Sequence, residues 1–108
     1  MDLVNQLLHK TEQLTPAIKK LGQYGQDLAL AERNYKIAVN KKALELRADS
    51  MAVGMITMTI YGYSEIAELR FKRDVAEVLY KTAYEGVNTL KLQIRVLQGQ
   101  IEKEWSNG

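Results

Sequence analysis

A chain of 108 residues with 46% hydrophobic content is one domain or less, and it holds one proline and no cysteine. The missing thiols exclude disulfides and thiolate metal sites. Fifteen basic residues against thirteen acidic ones leave a net charge of +2, too balanced for composition alone to specify nucleic acid.

The opening Met1-Asp2-Leu3-Val4-Asn5 lacks the basic start and sustained apolar core of a signal peptide. Asp2 is placed to cap a short first helix carrying Leu3, Val4, Leu7 and Leu8 on one side. Thr15-Pro16 then reads as a cap followed by proline at a first helical position, a restart or a bend in the path. Gly22 and Gly25 each weaken a helix by about 1 kcal/mol relative to alanine, so residues 1–24 form an N-terminal helical segment with an irregular end. Residues 26–48 carry a strong helical pattern, with Leu28, Ala31, Tyr35, Ala38, Val39 and Leu46 on one stripe. Residues 51–63 break that pattern with Gly54, Gly62, two threonines, three β-branched aliphatics and no charge. Ser64 followed by Glu65 supplies a hydroxyl cap and a carboxylate at the positive end of the next helix dipole. That helix is expected over 65–105, continuous through Gly86 and Gly99 and stopped by Ser106-Asn107-Gly108. Its seam is Ile66, Leu69, Arg73, Ala76, Tyr80, Ala83, Val87, Leu90, Ile94, Leu97 and Ile101.

The apolar residues mirror one another about the 51–63 connector. Leu46 and Leu69 flank it, followed outward by Tyr35 with Tyr80, Leu28 with Val87, Leu21 with Ile94, Ile18 with Leu97 and Leu14 with Ile101. Two helices folded back on each other place such pairs in successive layers of one seam. The fold class is therefore all-α: a long antiparallel helical hairpin with a short N-terminal helix, self-associating into a helical bundle. A hairpin has one seam and no enclosed core, so association with itself, as a dimer or a higher symmetric oligomer, is expected to complete its burial. A second stripe on the far side of the last helix, Val75, Val78, Leu92 and Val96, points the same way.

The connector offers one candidate site. Met55, Met58, Ile60 and Tyr61 are flexible or aromatic anchors for a protein partner, with Arg70 and Arg73 fixing register. The competing reading is that the connector folds back and closes the end of an oligomeric core. Lys41, Lys42, Arg47, Arg70, Lys72 and Arg73 form a basic belt near it, with Lys42 and Arg73 opposed in one layer. This belt holds phosphates of a nucleic acid, with Tyr61 or Tyr63 stacking on a base, or is neutralised by Glu45, Asp49, Glu68, Asp74 and Glu77 as an ion-pair network. Catalysis finds no support. His9 is the one histidine and reads as a surface residue, no Cys nucleophile or Gly-rich phosphate loop is present, and Glu65/Glu68 and Asp74/Glu77 lack the histidines of a di-metal bundle site. The reading is of a non-enzyme with no cofactor and no metal. No run approaches the roughly 20 apolar residues of a bilayer span, so no membrane role is expected and the cytoplasm is the default location.

The runs Ala43-Leu44-Glu45-Leu46-Arg47-Ala48, Ala67-Glu68-Leu69-Arg70-Phe71-Lys72-Arg73-Asp74-Val75-Ala76-Glu77 and Ile101-Glu102-Lys103-Glu104-Trp105 resemble those of small helical proteins encoded by phages and prophages of Gram-positive bacteria. The resemblance covers most of the chain from about Tyr35 onward and brings no catalytic residues with it. It implies a small phage accessory protein in the bacterial host cytoplasm. Such a protein binds a host or phage protein, as an inhibitor of a host system, or assists phage DNA replication or recombination.

Overall fold

The computed structural model describes residues 2–107, which are helical nearly throughout. Helix α1 spans Leu3–Ala48, α2 spans Val53–Thr59, a 3-10 turn takes Ile60–Gly62, and α3 spans Ser64–Asn107. Among the described residues there is no strand. Gly108, expected as part of the final stop, lies outside them, as does Met1.

The described chain divides into two compact units. One joins the stretch up to Tyr24 with the stretch from Tyr80 onward; the other is Gly25–Leu79. In the first, Asp2 caps α1: the Val4 N–H donates to Asp2 Oδ1 at 3.1 Å. No break follows. The expected short N-terminal helix, with 1–24 separate from 26–48, gives way to one helix of 46 residues with Pro16 inside it. Pro16 is exposed, so the Glu12 carbonyl that loses its donor remains open to water, while Leu14, Ala17 and Leu21 on the other side are half-buried. Packing of that stripe offsets a local cost of up to about 3 kcal/mol. Ile18 is corrected: it is 46% exposed and Ala17 takes the inward position, because an unbroken heptad stepping back from Tyr24 and Leu21 reaches 17. On α3, Val87, Leu90 and Leu97 are buried, and the Tyr80 and Tyr84 rings lie 6.5 Å apart, centroid to centroid.

In the second unit α1 ends in a tight backbone stop. The Met51 N–H donates to the Leu46 carbonyl at 3.0 Å, and the Ser50 N–H to the Arg47 carbonyl at 2.9 Å. Ser50 sits at φ 67°. This is a Schellman stop, in which one left-handed residue lets the chain satisfy the last helical carbonyls. Its usual apolar contact is present too, since Met51 packs against the cluster that holds Leu46. That cluster is Leu46, Ile56 and Ile60, flanked by Val39, Ala43, Met51 and Tyr63.

The connector is therefore ordered helix rather than loop. Ala52 is extended and its carbonyl accepts the first α2 bond from Ile56. Thr57 and Thr59 return their hydroxyl protons to the Val53 and Met55 carbonyls. The expected Ser64 cap is corrected: Tyr63 is extended and its carbonyl accepts from Ala67, so Ser64 is already the first helical residue. All eleven expected seam positions of α3 are buried or half-buried, Ile66 most deeply.

Candidate interaction surface at the helical turn

Register within the Gly25–Leu79 unit decides which side chains meet. Arg73 lies over the Tyr35 ring at 4.8 Å, and Lys42 bonds Glu65 Oε1 at 3.0 Å while standing 4.4 Å from the Tyr63 ring centroid. The mirror pairing is thus off by one heptad in this unit: Tyr35 meets Arg73 rather than Tyr80, and Lys42 meets Glu65 rather than Arg73. Within this unit Ile56 and Ile60 of α2 fill the layer at Leu46, where the mirror pairing had put Leu69.

The proposed apolar anchors divide accordingly. Met58 is 80% exposed, Met55 50% and Tyr61 46%, joined by exposed Val53. Ile60 is corrected: at 4% exposure it belongs to the core, because α2 needs one face to seat against Leu46. Met58, Thr59, Gly62 and Tyr63 line an open hollow on this surface. Arg70 stands 5.3 Å from the Tyr61 ring centroid, which brings one of the two register residues to the tip. Arg73 is held elsewhere. Its Nε and Nη2 both donate to Asp74 Oδ1, at 3.1 and 2.8 Å.

The basic belt is partly consumed by such contacts. Lys42 pairs with Glu65 and, at 3.8 Å, with Glu45. Its hydrogen bond to Glu65, with the charges of Glu65 and Glu45 and the Tyr63 ring beside it, raises its pKa above the ordinary value against the cost of desolvation. The Asp74 hydrogen bond does the same for Arg73. Arg47 Nη1 donates to the Met51 carbonyl at 3.1 Å and so secures the helix stop. Lys41 lines a hollow with Lys42, Glu45 and Glu65, and Lys72 is exposed. Mixed charge surrounds each of the two lysines opposing Glu65, the pattern of an ion-pair network more than of a phosphate cradle.

His9 is exposed and pairs with the Gln13 amide at 2.9 Å. Among the described residues, no three acidic or histidine side chains gather closely enough to hold a metal ion, and no helix is long and apolar enough to cross a membrane. Two features were missed from sequence. Ser50 carries no turn signature beyond following Asp49. The line of Leu30, Ile37 and Leu44, seven apart and all exposed, was hidden behind the stronger seam and was legible by its spacing. No protein-family model matches the chain, and neither a curated protein nor a solved structure matches it.

Proposed function

We propose that the chain is a non-enzymatic binding protein, a self-associating antiparallel helical hairpin whose α2 tip docks a protein partner. The observation that carries the docking role is the two-sidedness of α2. Ile56 and Ile60 are anchored in the core while Met55 and Met58 stand exposed in a stretch, 51–63, with no charge. Thioethers held on an ordered backbone present adaptable apolar surface at little ordering cost. The hairpin is supported by the cross-helix contacts of Tyr35 with Arg73 and Lys42 with Glu65, in which α3 runs back as α1 runs forward. The resemblance to small phage-encoded helical proteins supports seeking the partner among host or phage proteins.

The test is affinity capture from bacterial lysate with the full chain and with a Met55→Asp, Met58→Asp double variant of unchanged helicity. A partner held by the first, lost by the second and little affected by salt meets the proposal. Binding that survives the double substitution overturns it. The rival, a nucleic-acid accessory using the basic belt, predicts a mobility shift at about 50 mM salt that weakens steeply as salt rises. A shift of that kind, abolished by neutralising Arg47 and Lys72, replaces the protein-docking role with this one.

A further inference from the structure

Tyr61 walls a hollow over one edge of α1, lined further by Tyr35, Lys36, Val39 and Asn40. Lys36 and Asn40 stand one helical turn apart on that edge, both exposed. Each ring in the wall carries a guanidinium from α3: Arg70 stands 5.3 Å from the Tyr61 centroid and Arg73 4.8 Å from that of Tyr35. The polar groups lining the hollow are an ammonium, a carboxamide and two phenols; all donate hydrogen bonds and none is a carboxylate. The charge there is also uncompensated. Arg73 is paired with Asp74, but among the described residues Lys36 makes no ion pair, and Arg70 has the Tyr61 ring in place of a carboxylate. A different edge of α1 shows the contrast, since Lys41 and Lys42 share their hollow with Glu45 and Glu65. That hollow is neutralised from within, and this one is not.

We propose that this hollow takes an aspartate or glutamate side chain of the protein partner that docks on α2, so that the partner is acidic as well as apolar. The proposal rests on the α2 docking role. Tyr61 joins the two parts: it stands exposed three residues beyond Met58, on the same side of the chain, and also walls the hollow. A segment seated on Met55 and Met58 meets Lys36 and Arg70 when an acidic residue lies about one or two helical turns from its apolar anchor. An ionised carboxylate accepts roughly four hydrogen bonds, which suits donors that converge from α1, the 3-10 turn and α3. A nucleic-acid strand fits less well. It needs cations repeated along its backbone and open ring faces for its bases, whereas both tyrosine rings here already hold a guanidinium.

The probe is a random peptide library displayed on ribosomes and selected on the full chain. Selection is expected to return peptides that combine apolar residues with Asp or Glu. For such a peptide, Lys36→Met with Arg70→Met is expected to weaken binding about 10-fold. Lys91→Met, a like loss of charge at an exposed site in the other unit, leaves binding unchanged. Replacing the peptide's acid by its amide gives the same loss without altering this chain, and combining the two changes adds little further. Selected peptides that lack acidic residues, or whose acids are indifferent to Lys36 and Arg70, overturn the proposal. If those peptides are still lost on Met55→Asp, Met58→Asp, the α2 docking role stands without it. Peptides indifferent to Met55 and Met58, or no specific peptide at all, overturn both. An oligothymidylate that binds the wild-type chain but not the Lys36→Met, Arg70→Met variant assigns the hollow to phosphate and overturns the proposal.

Discussion

Ser50 is the one described residue with a left-handed backbone, at φ 67°, and replacing it with glycine is expected to stabilise the fold. An L side chain in that region costs about 1–2 kcal/mol through the approach of Cβ to its own carbonyl oxygen. Glycine removes this cost but adds about 0.4–1 kcal/mol of freedom to the unfolded chain, so Ser50→Gly should gain roughly 0.5–1 kcal/mol. Both bonds of the stop, from Ser50 to Arg47 and from Met51 to Leu46, are backbone bonds and survive the change. Ser50→Val reverses the sign, because a β-branched residue at positive φ is a steric outlier. Urea titration followed by circular dichroism at 222 nm measures both. On the scaling for domains of this size, the glycine variant should melt about 2–8 °C above the parent. If glycine and valine shift stability equally, or glycine lowers it, the left-handed stop is not what turns the chain, and the placement of α2 loses its cause.

Pro16→Ala restores an N–H donor to the Glu12 carbonyl inside α1 and should gain about 1–3 kcal/mol by the same titration. Gly22→Ala should add roughly 0.5–1 kcal/mol, since a Cβ there meets nothing within 4 Å. Ile60→Ala should cost about 2–5 kcal/mol while Met58→Ala stays within about 0.5 kcal/mol, a contrast set by 4% against 80% exposure. The Lys42 pKa is raised by Glu65, so its contribution is full below its ordinary 10.5 and fades as pH climbs through the raised value. The melting-temperature gap between the parent and Lys42→Met should accordingly be constant from neutral pH to about 10 and close above it.

The α3 seam was legible in full because a heptad stripe on an uninterrupted helix needs no knowledge of its partner. Local signals of disruption were over-read. Pro16, Gly22 and Gly25 each argue against helix within a few residues, yet α1 runs through all three, with Leu14, Ala17, Leu21 and Leu28 half-buried along one stripe. The same error occurred at the turn, where Gly54 and Gly62 suggested a loop and were instead absorbed into α2 and the 3-10 turn. The residue that turns the chain is a serine, and nothing in its side chain announces it.

Register was the part that sequence could not supply. Sliding one heptad stripe along another by seven residues, about 10.5 Å, keeps apolar against apolar, so the seam alone cannot distinguish Tyr35 with Tyr80 from Tyr35 with Arg73. What separates them is the volume of the connector. Had residues 51–63 been a bare loop, the layer at Leu46 would have been open to Leu69. With Ile56 and Ile60 already filling that layer, Leu69 moves outward and Arg73 comes beside Tyr35, where a guanidinium on an aromatic face is favourable. The same slide takes Lys42 away from Arg73, a like-charge encounter, and gives it Glu65. Packing at the tip and electrostatics along the seam therefore select one register together. A variant that empties the tip, such as Ile56→Ala with Ile60→Ala, removes the steric barrier to the other register, and only the charge pairs then oppose it.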